Sequence, residues 1–184
     1  MGRPKGELVW QGRSLATRAA EALWPICGSV VISVAPGVPS PAPGIPTVED
    51  LGGEGGGPLA GIRAAFAGSE SADLIVVACD YPLIDTDLLR TLVEVAEPQA
   101  ELVMPTDPAG RDHPLVALWR RSAEQAIVRA VSRERRRVHD LFTELRLQRV
   151  HPDRLGEQRS RRLLNVNDPQ RWFDLTGEPI EGGS

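Results

Sequence analysis

Short apolar segments alternate with helical patterns along most of the chain. Residues 73–79 form the strongest apolar segment, and residues 29–34 form another that a Pro- and Gly-rich stretch closes. Apolar runs of this length, bounded by turn residues, are typical of buried strands. Their alternation with helices predicts a mostly parallel sheet with helices on its faces. Further strands are predicted at residues 101–104, 115–119 and 147–150.

The predicted helices have recognisable ends. Pro25 ends the first helix, and Gln125 follows Ser122 at the spacing of a capping box. Pro169 predicts the start of a last helix, because Pro is favourable in a first turn. The candidate capping residues are Ser14, Asp85 or Thr86, Ser122 and Asp168.

Length and composition fit a single domain over residues 1–184, with 41% hydrophobic residues and a net charge of -4. The apolar runs are too short to cross a membrane, and the N-terminus lacks the apolar core of a signal peptide. An acidic chain is not expected to bind nucleic acid. Cys27 and Cys79 are isolated and lack metal-ligand spacing, so we expect a reduced, cytoplasmic location.

Lys5 is the only lysine among 21 basic residues. Arginine is a planar fork, whereas lysine is a compact point charge on a flexible stem that phosphate-binding loops often use. The lone lysine therefore indicates a site that requires an ammonium group. The alternative is compositional drift that left one lysine without a special role.

The most abrupt change from apolar to polar sequence is Cys79-Asp80-Tyr81-Pro82. Pro82 prevents the preceding strand from continuing as a central one. Ligands of open α/β sheets bind beyond the carboxyl ends of strands, so Asp80 lies where a Mg²⁺-phosphate group would bind. The alternative is a turn-forming Asp.

The Gly-rich segment 52–61 is a second candidate site. Its glycines would let backbone N–H groups approach a phosphate or a base, and a helix beginning near Leu59 would add its dipole. Asp50 could accept hydrogen bonds from a ribose or base. The segment lacks the Gly-Lys-Ser/Thr end of a P-loop, so a flexible surface loop is the alternative.

Three polar segments complete the candidates. Asn165 and Asn167 share one face of an extended segment, although both could be ordinary turn residues. The basic run 133–137 could meet the phosphate of an anionic substrate, but such runs are most often solvated. Arg111 and His113 precede a predicted strand, and His113 fits a hydrogen-bonding loop residue better than a catalytic base.

Together and in order, these motifs resemble the molybdenum cofactor guanylyltransferases, which are MobA-like nucleotidyltransferases. The resemblance covers essentially the whole chain. It implies an α/β fold with a Rossmann-like, three-layer, doubly wound and mostly parallel sheet of the nucleotide-diphospho-sugar transferase type. The matching segments are Met1-Gly2-x-x-Lys5, Asp50, Gly57-Pro58-Leu59-Ala60-Gly61, Cys79-Asp80-Tyr81-Pro82, His113-Pro114-Leu115 and Asn165-Val166-Asn167-Asp168-Pro169.

The resemblance implies transfer of GMP from Mg-GTP to the molybdenum-molybdopterin cofactor. Lys5 and Asp80 would be the catalytic residues, with Lys5 on the GTP phosphates and Asp80 as the Mg²⁺ ligand. The remaining nucleotide contacts would come from Asp50, Gly57, Pro58 and Leu59. The pterin and phosphates of the acceptor would lie near Asn165, Asn167, Arg111 and His113. Implied protein partners are molybdoenzyme apoproteins or their chaperones.

The chain departs from the family at its beginning. Family members place a strand and a Leu-Ala-Gly-Gly-x-Ser-x-Arg loop before the Met-Gly that is Met1-Gly2 here. We therefore expect an N-terminally incomplete domain that lacks the central first strand. The structure should show a gap or a non-native pairing beside residues 74–79. The upstream codons should encode about 10–20 residues, enough for one strand and a tight loop.

A second departure concerns the nucleotide. The family tends to place Asn after the strand that here spans Val30 to Val34, where this chain has Ala35-Pro36. This departure leaves both GTP and CTP open as the nucleotide. The Cys-Asp-x-Pro form around Asp80 and the Arg-x-His-Pro context of His113 favour the guanylyl branch. The alternatives are a cytidylyl or sugar-phosphate nucleotidyltransferase, or a catalytically inactive relative that acts as a binding partner.

Overall fold

The computed structural model describes residues 4–52, 56–69, 73–156, 158 and 161–180. The strands are β1 (Val9–Trp10), β2 (Arg13–Ser14), β3 (Ile32–Val34), β4 (Thr47–Glu49), β5 (Asp73–Val77), β6 (Leu102–Pro105), β7 (Val116–Arg120) and β8 (Leu147–Val150). The helices are α1 (Leu15–Leu23), α2 (Gly57–Ala67), α3 (Thr86–Glu94), α4 (Glu124–Ser132), α5 (Pro152–Leu155) and α6 (Pro169–Thr176). Single 3-10 turns occur at Lys5–Glu7, Arg121–Ala123, Val138–Leu141 and Arg161–Leu163.

The main sheet has the strand order β5-β7-β6-β8. β7 runs antiparallel to both of its neighbours, whereas β6 and β8 are parallel. A separate sheet consists of the parallel pair β3 and β4. The α/β class is confirmed. The hairpin β1–β2 and the strand β4 have no counterpart in the sequence prediction, because strands of two or three residues are too short to show a period.

Helices cover both faces of the main sheet and create two apolar layers. Along β7, Val116 and Leu118 face the cluster that contains α3, whereas Ala117 and Trp119 face the cluster that contains α2 and α4. This alternation is the two-residue period of a strand. The three-layer arrangement follows from it, because each face of the sheet must be covered.

A gap separates the two sheets. β5 pairs with β7 on one side, and within the described ranges no strand pairs with its other edge. α2 contacts β3, β4 and β5, so one helix covers both sheets. On the opposite face, Val30 packs in the same apolar cluster as Ile75 and Val77 of β5. The edge of β5 away from β7 therefore has no strand partner within the described ranges, and the incomplete domain stays a prediction.

The gap changes the burial of β5. All five residues of this strand are partly exposed, whereas all four residues of β6 are buried. The sequence predicts a buried strand here, because this apolar run is the strongest. Its burial is incomplete because, among the described residues, β5 pairs with a strand on one side alone.

Side-chain caps form at three of the predicted helix starts. Ser14, Asp85 and Asp168 accept hydrogen bonds from the backbone N–H groups three residues further on. The capping box predicted at Ser122 and Gln125 is wrong. A 3-10 turn at Arg121–Ala123 leads directly into α4, so Ser122 lies inside a helical turn and cannot act as its cap. Among the described residues, no helix is long and apolar enough to cross a membrane.

Candidate functional site

Asp80 lies just beyond the carboxyl end of β5. Its Oδ1 atom is buried and has no hydrogen-bond partner among the described residues, and its Oδ2 atom lies 3.5 Å from Lys5 Nζ. A buried oxygen without a partner is unfavourable, and a divalent cation would satisfy it. Asp80 therefore has the surroundings that a cation ligand requires.

The rest of the coordination would have to come from outside the protein. The described part of the chain contains no group of three or more His, Cys, Asp or Glu side chains that could hold a metal ion. Mg²⁺ commonly binds to one or two carboxylates together with substrate phosphates and water. Asp80 as a single carboxylate suits that arrangement better than a closed structural site.

Lys5 reaches the same place from the beginning of the chain. Its Nζ atom donates a 2.6 Å hydrogen bond to Asn167 Oδ1, and it also faces Asp80. Lys5 and Asn167 are 162 positions apart in sequence. Leu8 and Val166 lie in one apolar cluster, which brings the two segments together. The structure thus joins the lone lysine, the strand-end aspartate and one of the two predicted asparagines.

The segment around Asn165 is fixed against the same turn. The Val166 N–H group donates a 2.7 Å hydrogen bond to the Asp80 carbonyl oxygen. Asn165 Oδ1 accepts a 2.8 Å hydrogen bond from Arg171 Nη1, and the Asn165 side chain lies next to the Tyr81 hydroxyl group. Asn165 therefore contacts the residue after Asp80, whereas Asn167 contacts Lys5.

Tyr81 begins a buried polar arrangement. Its hydroxyl group lies 2.9 Å from His113 Nδ1, and His113 Nε2 lies 3.5 Å from Asp107 Oδ2. His113 and Asp107 are both buried. His113, a candidate for substrate contact, is therefore enclosed by protein, and among the described residues its ring contacts the site through Tyr81. Its Nε2 atom has no hydrogen-bond partner in that part of the chain.

The charge states of this arrangement follow from burial and from nearby cations. Burial lowers the pKa of His113, although Asp107 opposes the shift, so the imidazole is neutral near pH 7. Burial alone would raise the pKa of Asp107, but hydrogen bonds from Arg111 and Ala109 lower it overall. Burial, followed by the charge of Asp80, raises the pKa of Tyr81 to about 12.

Sequence reasoning missed Asp107. The residue follows β6 closely, and a carboxylate after a buried strand is the signal that identified Asp80. The same rule, applied to β6, would have found it. Tyr81 lies in the quoted Cys-Asp-Tyr-Pro motif, but nothing in the sequence indicates which side chain its hydroxyl group contacts.

Arg111 holds Asp107 from the solvent side. Its Nη2 atom lies 2.7 Å from Asp107 Oδ2, while its own side chain remains 63% exposed. Both residues line an open cavity of about 720 Å³. Leu163 and Leu164, which precede Asn165, line another part of its wall. The cavity thus borders the segment that carries the two asparagines.

The predicted nucleotide-binding turn is separate from these contacts. Gly57 begins α2 with a φ of +67°, and an added Cβ atom would lie 2.9 Å from the Arg136 carbonyl oxygen. Pro58 occupies the first turn of the helix. Leu59 is fully buried in the core, so only its backbone could contact a nucleotide.

Asp50 lies near the middle of α2 and forms a short hydrogen bond with the Ser33 hydroxyl group. Within the described ranges, no hydrogen bond or ion pair joins Asp50 to Lys5 or Asp80. Met1, Gly2 and residues 53–55 of the Gly-rich segment lie outside the described residues. The predicted roles of Asp50 and of this segment therefore stay predictions.

Comparison with known proteins shows to which family the chain belongs. The sequence profile of the MobA-like NTP transferase domain matches residues 1–150. The chain belongs to the MobA-like NTP transferase family. The matched range of this MobA-like domain contains Lys5, Asp80 and the buried group around His113, whereas Asn165 and Asn167 follow it.

Individual curated relatives also match the chain. A probable molybdenum cofactor guanylyltransferase from Pelotomaculum thermopropionicum is 31% identical over 173 residues, which cover 92% of this MobA-like chain and 82% of the relative. Another from Carboxydothermus hydrogenoformans is 29% identical over 123 residues, which cover 66% of the chain and 61% of the relative. The matched part thus spans about three fifths of the Carboxydothermus relative.

A solved structure shows the same fold. The molybdopterin-guanine dinucleotide biosynthesis protein A from Archaeoglobus fulgidus superposes with a TM-score of 0.78 at 20% sequence identity. The superposition covers 96% of this MobA-like chain and 90% of that protein. The Rossmann-like architecture expected from the sequence is confirmed.

Proposed function

We propose that this chain is a Mg²⁺-dependent nucleotidyltransferase that transfers GMP from GTP to the molybdenum-molybdopterin cofactor. One observation carries the proposal: Lys5 and the incompletely bonded Asp80 meet Asn167 at the carboxyl end of β5. Membership in the MobA-like NTP transferase family and the guanylyltransferase names of the relatives support the substrate pair.

In the proposed reaction, a terminal phosphate oxygen of the acceptor attacks the α-phosphorus of GTP in line, and pyrophosphate leaves. Asp80 would hold Mg²⁺, which neutralises phosphate charge when bound. Lys5 would contribute a second positive charge to the same phosphates. The acceptor phosphate is itself the nucleophile, so no general base is required.

The binding surfaces divide between two regions. The nucleotide would lie along the N-terminal part of α2, with Asp50 toward its ribose or base. The acceptor would use the cavity bordered by Arg111 and the segment that carries Asn165. This division follows from the separate positions of Asp50 and Arg111 in the fold.

The test is a transfer assay with labelled GTP, CTP and UTP, each with Mg²⁺ and molybdenum-molybdopterin. We expect transfer from GTP that a chelator abolishes and added Mg²⁺ restores. Preferential transfer from CTP would identify the cytidylyl alternative instead. A sugar-phosphate nucleotidyltransferase would transfer to a sugar phosphate and not to the pterin.

A second candidate function is an inactive relative that acts as a binding partner, for example of a molybdoenzyme apoprotein or its chaperone. The gap beside β5 favours it, because the gap borders the strand that positions Asp80. Failure of a chain extended upstream to bind any of the three nucleotides would support this candidate over the enzyme.

A further inference from the structure

A buried set of side chains links the turn that carries Asp80 to a loop on the other side of the cavity. This set, Asp107, His113 and Tyr81, is called the buried polar chain below. The Tyr81 hydroxyl group lies 2.9 Å from His113 Nδ1, and His113 Nε2 lies 3.5 Å from Asp107 Oδ2. Burial of such polar groups is unfavourable because they lose their contacts with water. Their hydrogen bonds can offset this loss and hold the neighbouring segments in one arrangement.

Hydrogen bonds hold the Asp107 end of the buried polar chain rigidly. Asp107 Oδ1 accepts backbone hydrogen bonds of 2.9 Å from both Ala109 and Arg111, and Oδ2 accepts a 2.7 Å bond from Arg111 Nε. A carboxylate with this many donors is ionised and has one orientation. The loop after β6 therefore anchors the buried polar chain.

The anchor determines the direction of the remaining hydrogen bonds. His113 Nε2 faces the anionic oxygen of Asp107, so the proton of the neutral imidazole belongs on Nε2. Nδ1 is then an acceptor, and the Tyr81 hydroxyl group must donate to it. The Tyr81 oxygen keeps its lone pairs for another donor.

The Asn165 side chain lies next to this oxygen. Asn165 Oδ1 already accepts a 2.8 Å hydrogen bond from Arg171, so its NH₂ group is the part that can face Tyr81. At the other end, His113 Nε2 lies 3.5 Å from Asp107 Oδ2 and has no hydrogen-bond partner among the described residues. That contact is therefore one of charge between the imidazole N–H group and the carboxylate.

The two segments joined by these contacts carry the candidate site. Tyr81 directly follows Asp80, and Val166 directly follows Asn165. The Val166 N–H group also donates to the Asp80 carbonyl oxygen at 2.7 Å. Loss of the Tyr81 hydroxyl group would therefore loosen the turn and the Asn165 segment together.

We propose that the buried polar chain positions Asp80 and Asn165 for the transfer reaction. Its members act through other residues and do not touch substrate. The expected effect on the transfer rate rests on the function proposed above. The contacts that hold Asp80 and Asn165 in place do not depend on that function. Nothing in the family match or in the relatives' names assigns a role to Asp107 or Tyr81.

The first test is the Tyr81→Phe variant, which removes only the hydroxyl group. Loss of a residue that orients a metal ligand typically lowers activity or metal affinity ~10–100-fold. We expect a fall of that order in kcat and a higher Mg²⁺ concentration at half-maximal rate, with a much smaller change in the KM for GTP. An unchanged kcat and Mg²⁺ dependence would overturn the proposal.

A rescue and a control separate positioning from simple stability. His113→Phe should resemble Tyr81→Phe, whereas His113→Asn keeps a hydrogen-bonding group near Nδ1 and should recover part of the rate. Gln148 is another buried polar residue, bonded to Glu97 and Val95 at a different place in the fold. Gln148→Leu should lower the melting temperature and leave the Mg²⁺ dependence unchanged.

A measurement without turnover distinguishes failure of this inference from failure of the proposed function. Nitrogen NMR of the unaltered chain should show His113 with its proton on Nε2. Hydrogen exchange of the Val166 amide should be faster in Tyr81→Phe and not in Gln148→Leu. Unchanged Val166 exchange in Tyr81→Phe would refute the positioning role even if the chain transferred no nucleotide.

Discussion

At the scale of single residues, Asp80 offers the most direct test of the candidate site. Asp80→Asn is nearly isosteric but removes the charge that a cation needs, so we expect a loss of transfer of ~10²–10³-fold, as for other groups that stabilise reacting charge. The circular dichroism spectrum and the melting temperature should change little.

The matched control for Asp80 is Asp87→Asn. Asp87 is an exposed residue of α3 that pairs with Arg90, so the same chemical change there should leave the transfer rate unaltered. The assay is steady-state transfer of labelled GMP over a range of Mg²⁺ concentrations. Near-normal turnover of the Asp80→Asn variant would refute the proposed role of Asp80 as a metal ligand.

Lys5 tests whether the site requires an ammonium group. Its Nζ atom lies between Asn167 and Asp80, and a guanidinium group is too broad to replace a point charge there. Lys5→Arg should therefore lower kcat/KM for GTP at least ~10-fold, which is about 1.4 kcal/mol in transition-state stabilisation. The reverse exchange Arg13→Lys, at an exposed residue paired with Glu21, is the control. Equal rates for Lys5→Arg and the unaltered chain would show that the lone lysine reflects compositional drift and has no special role.

At the scale of elements, α2 lies so close to β3 that Gly61 has no room for a side chain. An added Cβ atom would overlap the Ser33 hydroxyl group and lie 3.2 Å from Asp50 Oδ1. Gly61→Ala should destabilise the fold by about 1–3 kcal/mol through overpacking, despite the better helix propensity of Ala. Denaturant unfolding measures this loss of free energy.

Two further variants test the cause of that loss. Ser33→Ala removes the overlapping oxygen and should recover part of the stability of Gly61→Ala, so the double variant should be non-additive. Gly68→Ala at the end of the same helix would meet its neighbours at ordinary contact distances of 3.4 and 3.5 Å and should have little effect. Equal losses at Gly61 and Gly68 would show that close packing on β3 is not the cause.

At the scale of the whole molecule, the edge of β5 away from β7 has no strand partner among the described residues. The open edge of β5 leaves a row of backbone groups without strand partners, and its five residues are only partly buried. An apolar strand of about 5–6 residues would fit a gap of this kind. We therefore expect a designed apolar strand and loop, fused to the N-terminus, to pair with β5.

This expectation is tested by thermal unfolding of the extended chain. A gain of about 3 kcal/mol would raise the melting temperature by roughly 6–12 °C. Amide exchange of residues 74–77 should become slower at the same time. A scrambled extension of equal length is the control, and an equal shift from that control would show that strand pairing is not the cause.

The elements of this chain follow largely from local patterns. The apolar run of β7, the caps Ser14, Asp85 and Asp168, and the position of Asp80 after β5 depend on residues close together in sequence. Burial period, capping and the end of a strand are local properties, so the sequence alone determines them. The α/β class follows from their order.

Only the tertiary structure decided which of these elements meet. The contact between Lys5 and Asn167 depends on packing between the two ends of the chain, and no local pattern encodes it. The same holds for His113, whose sequence context suits a surface loop but whose ring is enclosed between Tyr81 and Asp107. The partial exposure of β5 depends on its having, among the described residues, a strand partner on one side alone, and its own apolar sequence cannot reveal that.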